Sequence, residues 1–152
     1  MLILVGCQKP PEQSGMPPNF VLPANNDTEI SLRDYKKQFL VLYFYPKDST
    51  PGCTKEAIDF SENIEEFTKL KAAVVGISKD TPSKHDKFIE KNALKVSLAS
   101  DLDGKVIENY GAWIEKNMYG KKYMGIENEY FIHIRRGDYV GNKLYEIDYD
   151  TY

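Results

Sequence analysis

Cysteine is scarce in this chain. Cys7 and Cys53 are the only two in 152 residues, too few for a disulfide scaffold. Histidine is equally scarce, and His85 and His133 stand far from both cysteines. No metal-ligand spacing results, so no metal is expected. Only three arginines occur (Arg33, Arg135 and Arg136), and the lysines are scattered among acids at a net charge of −3. Without a basic stripe, a nucleic-acid partner is not expected. The apolar stretch at residues 1–5 is far too short to span a membrane.

What remains is ordinary globular composition, 41% hydrophobic and 28% charged. The length suits one domain that can bury a core without disulfide or metal staples. Residues 1–15 read as a flexible N-terminal segment, with a Pro-rich polar stretch from residue 9, and residues 16–152 as the domain. The tetrapeptide Leu-Val-Gly-Cys ending at Cys7 is similar to a bacterial lipobox, but no basic region or longer apolar stretch precedes it. A cytoplasmic protein is therefore expected, with a lipid-anchored or periplasmic form as the alternative if the true start lies upstream.

Residues 39–45 form a continuous apolar and aromatic run, which suits a strand buried on both faces. It stops at Pro46 and gives way to loop chemistry through Gly52. A helix is expected from about Cys53. Ala57, Phe60, Ile64, Phe67 and Leu70 form its apolar stripe, with Thr50 or Ser49 as cap and Pro51 in its first turn. The Glu/Lys-rich face at 61–71 is read as solvated. Residues 72–78 suit a second buried strand, and Thr81-Pro82 opens a second long helix that runs to about Asn92. A short strand at 95–99, a short helix at 104–110, strands near Trp113, at 129–134 and at 139–147, and a turn at 136–138 complete the order. Alternating strands and helices followed by a hairpin imply an α/β fold of thioredoxin-like arrangement, a central mixed β-sheet flanked by helices.

Cys53 falls where the loop after a central strand becomes a helix. An ordinary thiol is only about 3% ionised at pH 7. A helix N-terminus offers unpaired N–H groups and partial positive charge, which favour the reactive thiolate. The Thr50 hydroxyl is placed to bond the sulfur or an oxygen of a bound ligand, and Pro46 and Pro51 stiffen the loop. Glu56, three residues on, is read as completing a capping box with Cys53 or bonding the loop backbone. His85, among lysines and aspartates, reads as solvated, and His133 as alternating on the hairpin. The run Asp101-Leu-Asp103-Gly104 reads as a capped turn rather than a calcium loop, because the later glutamate ligand is missing.

Residues 44–56, Phe-Tyr-Pro-Lys-Asp-Ser-Thr-Pro-Gly-Cys-Thr-Lys-Glu, resemble the active-site signature of peroxiredoxins, with Pro46, Thr50 and Cys53 in the Pro-x-x-x-Thr-x-x-Cys pattern. The lead-in and centre most resemble the bacterioferritin-comigratory, or Q-type, group, and the likeness runs over about residues 16–145. The resemblance implies a thiol-dependent peroxidase acting on hydrogen peroxide or alkyl hydroperoxides, with no metal, haem or flavin cofactor. Cys53 would be the peroxidatic cysteine, oxidised to sulfenic acid, with Gly52 and Asn128 as oxyanion support.

Three positions depart from the family pattern. Ile58 occupies the usual resolving-cysteine position. A one-Cys enzyme is therefore expected, restored by thioredoxin, glutaredoxin or glutathione; Cys7 would resolve Cys53 only if its flexible arm reaches it. Asn128 stands where the family has an Arg beside the sulfur, and Tyr130 where it has a Thr. Asn128 can donate hydrogen bonds but carries no charge, and Lys121 or Lys122 is the nearest candidate to compensate. The alternative reading, a catalytically impaired redox sensor or binding module, rests on this position. Finally, the family's C-terminal helix has no counterpart before Tyr152. A monomer or weak dimer is expected.

Overall fold

The computed structural model describes residues 17–112 in full and residues 115–118, 121–124 and 131–135 as backbone strands. The chain order is β1 (Val21–Ala24), β2 (Thr28–Ser31), a 3-10 turn (Leu32–Tyr35), β3 (Phe39–Phe44), α1 (Pro51–Glu62), α2 (Ile64–Lys69), β4 (Ala72–Ser78), α3 (Pro82–Asn92), β5 (Ser97–Ser100), α4 (Lys105–Asn109), β6 (Glu115–Met118), β7 (Lys121–Met124) and β8 (Phe131–Arg135). Six of the strands form one sheet in the order β2-β1-β5-β4-β3-β8. The centre, β3-β4-β5, is parallel, and antiparallel partners flank it: β8 on β3, and β1 on β5. This is the expected mixed sheet with helices. β6 and β7 form a separate antiparallel pair.

Alternation along β3 feeds two cores. Leu40, Leu42 and Phe44 point into one with Val75, Ile77, Ile107 and Tyr110. Val41, Tyr43 and Tyr45 point into the other, beneath Cys53, Ala57 and Phe60 of α1 and Phe88 of α3. Both faces of β3 are thus covered, which is why its sequence shows no polar alternation.

Several expectations need correction. The single helix predicted after Cys53 is two, because Asn63 leaves the helical path (φ −94°, ψ 7°) and its side-chain amide bonds the Asp59 carbonyl at 2.8 Å. Leu70, assigned to the apolar stripe, lies past the end of α2 and is 68% exposed. Ser61, assigned to a solvated face, is buried. It donates to the Ala57 carbonyl at 2.7 Å and accepts the Lys95 N–H at 3.0 Å. The hairpin β1–β2, unassigned from sequence, turns through Asn26 and Asp27 at positive φ. Asp101 does cap the short helix α4: its carboxylate accepts the Ile107 N–H at 2.8 Å. Cys7, Trp113, Asn128, Tyr130, the turn at 136–138, the strand at 139–147 and the question of a C-terminal helix all lie outside the described residues.

Candidate active site

β3 delivers the chain to the C-terminal edge of the parallel strands, where Tyr45 still bonds β4 through its N–H to the Ile77 carbonyl at 3.1 Å. The loop 46–50 then turns back into α1. Pro46 and Thr50 are half-buried, Lys47 and Ser49 exposed, and Asp48 buried. Ser49 holds the left-handed region at φ 63°, a conformation that costs a non-glycine residue about 1 kcal/mol or more.

Thr50 occupies the N-cap position of α1 and Pro51 its first turn, as the sequence implied. The expected side-chain cap is absent. Instead the Thr50 hydroxyl donates back to the Lys47 carbonyl at 3.1 Å, leaving its oxygen lone pairs as acceptors. The first intrahelical bond runs from the Thr54 N–H to the Thr50 carbonyl, 2.9 Å, and the Thr54 hydroxyl adds a second at 2.6 Å. Pro51 has no N–H, so the amides of Gly52 and Cys53 are the donors that precede this bond. Cys53 is the third residue of the helix, a free thiol, and 6% exposed. Its sulfur side chain packs in the cluster of Val41, Tyr43, Tyr45, Ala57 and Phe60. Ile58 faces the same cluster and is half-buried.

Tyr43 is the floor of this site. Its ring stacks on Phe60 at 4.7 Å and on Tyr45 at 5.5 Å between centroids. Burial, and then the negative charges of Glu56, Asp48 and Cys53, push its phenol well above the usual tyrosine range. Tyr43 therefore stays a neutral O–H. Among the described residues its hydroxyl has no hydrogen-bond partner.

Two residues differ from what the sequence implies. Glu56 makes no capping box: its Oε2 is buried without a partner among the described residues. Burial, reinforced by the charge of Asp59, pushes its carboxyl up to about 8. His85, read as solvated, is fully buried and bonded to Asp48 at 2.8 Å. The presence of a histidine and an aspartate was visible in sequence, but their pairing across 37 positions was not. The structure thus brings Pro46, Thr50, Gly52 and Cys53 together at one loop-helix junction. Among the described residues no three His, Cys, Asp or Glu side chains gather as metal ligands do, and no helix is long and apolar enough to cross a membrane.

A buried thiol in the first turn of a helix, next to the amides that precede the first intrahelical bond, is suited to nucleophilic attack on a small electrophile. A family model described as the AhpC/TSA family matches residues 15–138. A peroxiredoxin Bcp of Bacillus subtilis is 43% identical over 120 residues, which is 79% of this chain and 76% of that protein. Peroxiredoxin Bcp of Escherichia coli is 42% identical over 115 residues, covering 76% and 74%. Among solved structures, a Xylella fastidiosa PrxQ mutant superposes with a TM-score of 0.71 at 33% identity, covering 78% of this chain and 72% of the other. The bacterioferritin comigratory protein of Xanthomonas campestris, described for its alkyl peroxide reduction activity, gives a TM-score of 0.68 at 40% identity, covering 75% and 73%.

Proposed function

The chain belongs to the AhpC/TSA family, and on that premise we propose that it reduces hydrogen peroxide and alkyl hydroperoxides at the sulfur of Cys53. The observation that carries this reading is the position of that thiol: third in α1, free, and almost wholly buried. The thiolate attacks the terminal oxygen of the peroxide. The S–O bond forms as the O–O bond breaks, and the departing oxygen takes a proton to leave as water or an alcohol. Cys53 becomes sulfenic acid. A first reductant thiol converts the sulfenic acid to a mixed disulfide with loss of water, and a second thiol releases the reduced enzyme.

Pro46, Thr50 and Gly52 are the supporting residues. With its hydrogen committed to Lys47, Thr50 can accept the O–H of an incoming hydroperoxide. The Gly52 and Cys53 amides can donate to the oxygen on which negative charge develops. Asn128 is the further oxyanion support, on sequence grounds alone.

The enzyme works as a one-Cys type, with residues 16–152 as the catalytic domain. Ile58 provides no thiol at the family's usual position. The reductant is therefore external: thioredoxin, glutaredoxin or glutathione. The test is consumption of hydrogen peroxide with each donor in turn, comparing the native protein with Cys53→Ser. Consumption that Cys53→Ser abolishes supports the reading. Equal rates in both proteins would overturn it, and a Cys7–Cys53 disulfide in the oxidised protein would overturn the one-Cys assignment.

A further inference from the structure

A second set of buried polar groups lies beside the nucleophile's loop, where β3 and β4 end and α3 begins. His85 is completely buried. Its Nδ1 stands 2.8 Å from Asp48 Oδ2, and its Nε2 stands 3.3 Å from the Ala99 carbonyl. A carbonyl only accepts, so Nε2 carries a hydrogen. One proton then lies between Nδ1 and Oδ2. The other Asp48 oxygen accepts from the Tyr45 hydroxyl at 2.7 Å, and that hydroxyl is 3.4 Å from Nδ1. The Asp48 backbone N–H donates to Asp80 Oδ2 at 2.8 Å. Asp80 is held in turn by the Ser78 hydroxyl at 3.1 Å and Lys84 Nζ at 3.2 Å.

Burying such a pair gains little stability, because desolvation offsets the attraction, and apolar replacements of similar volume are often neutral or better. What the network provides is a fixed position. Asp48 is anchored through both carboxylate oxygens and its amide, in the middle of the five-residue loop that precedes α1. Ser49 follows in a strained conformation, which persists only where its surroundings hold it. Thr50 follows next, closing onto Lys47 and starting α1. A shift at Asp48 therefore moves Thr50 and the Gly52 and Cys53 amides relative to one another.

We propose that His85 is a positioning residue for the chemistry at Cys53. Acting through Asp48, it holds the 46–50 loop in the conformation that sets Thr50 and the first turn of α1 around the sulfur. The inference rests on the reading of Cys53 as the peroxide-reactive residue. His85 acts on the loop, not on the reacting atoms.

The test compares the native protein with His85→Leu and His85→Asn. Two rates are measured on folded samples of each: oxidation of Cys53 by hydrogen peroxide, and its alkylation by iodoacetamide. Circular dichroism and the thermal midpoint report the fold. A misplaced loop slows the reaction that needs Thr50 and the amides aligned, and leaves simple alkylation less affected. His85→Leu is expected to lower the peroxide rate, relative to alkylation, by about tenfold to a hundredfold. His85→Asn, whose amide nitrogen can still donate to Asp48, is expected to recover most of that loss. A purely structural role would lower the midpoint and leave the ratio of the two rates unchanged. An unchanged ratio in folded His85→Leu, or no recovery in His85→Asn, overturns the proposal. If His85→Leu does not fold, Tyr45→Phe, which removes only the hydroxyl on the other Asp48 oxygen, carries the test with the same reading. A native protein inert to peroxide would overturn the functional reading, and this inference with it. A reactive native protein with an unchanged ratio in the variants overturns this inference alone.

Discussion

Tyr43 lies directly over Gly76, its register partner on the neighbouring strand β4. A Cβ built on Gly76 would meet the phenol carbon at 2.5 Å and the hydroxyl at 2.6 Å, with Leu98 at 2.8 Å on the other side. Tyr43 is 1% exposed and stacked under Phe60 of α1, so its ring has nowhere to retreat. The missing side chain at position 76 thereby sets how closely the nucleophile's helix approaches the sheet. Gly76→Ala is expected to destabilise the protein by about 1–3 kcal/mol, the range for overpacking a dense core. Urea denaturation measures it, and an unchanged midpoint would show that α1 adjusts freely.

Glu56 makes stability fall with rising pH. Its ordinary value is 4.5 and its folded value about 8. Between these limits the unfolded chain gives up a proton that the folded one retains, so the folded state loses ground as pH rises through that window. Below about 4.5 there is no penalty, and above about 8 it is complete. Glu56→Gln removes the penalty. The variant is expected to be more stable than the native protein at pH 8 by roughly 1–3 kcal/mol, allowing for solvent screening of a half-buried group. The two should converge at pH 4. A constant gap across thermal melts at pH 4, 6 and 8 would count against this assignment.

The same ionisation bears on activity. Above about pH 8 a carboxylate appears close to Tyr43 and Cys53, where the reaction itself builds negative charge. Peroxide turnover is expected to decline there in the native protein and to decline less in Glu56→Gln. Identical profiles from pH 6 to 9 would separate Glu56 from the chemistry.

Ser61 fastens the end of α1 to the strand connection before β5. Its hydroxyl accepts the Lys95 N–H and donates to Ala57. Ser61→Ala leaves a partly buried N–H without its partner, at an expected cost of about 1–2 kcal/mol. Because Ser61 lies two turns beyond Cys53, peroxide turnover per folded molecule should not change. Parallel equilibrium unfolding and rate measurements separate the two effects.

Thr50→Val keeps the side chain's shape and removes the hydroxyl. It takes away the bond to Lys47 and, with it, the acceptor proposed for the substrate's O–H. The peroxide rate is expected to fall about tenfold to a hundredfold, with Thr50→Ser near native. Steady-state kinetics across peroxide concentration would show whether the loss lies in turnover or in binding.

Sequence disclosed the elements whose signal is local. The unbroken apolar run of β3 and the Thr81-Pro82 opening of α3 reflect burial and capping geometry within a few residues. Thr50 and Cys53 were legible because loop, proline and helix start are contiguous. His85 was not. Its immediate neighbours Lys84, Asp86 and Lys87 are polar, and its burial depends on Asp48, which α3 meets only in the folded molecule. Glu56 misled for a related reason: the capping-box spacing was present, but the side chain turns into the interior. The helix break at Asn63 comes from one residue leaving the helical path, which apolar periodicity cannot register. The β1–β2 hairpin escaped because its strands have four residues each, and β1 contains Pro23.

The most direct measurement is a single turnover without reductant. Reduced protein is mixed with one equivalent of hydrogen peroxide, residual peroxide is assayed, and dimedone-trapped peptides are identified by mass spectrometry. Loss of one equivalent of peroxide with the sulfenic-acid adduct on Cys53 is the predicted result. Undiminished peroxide with an unmodified Cys53 would contradict the account.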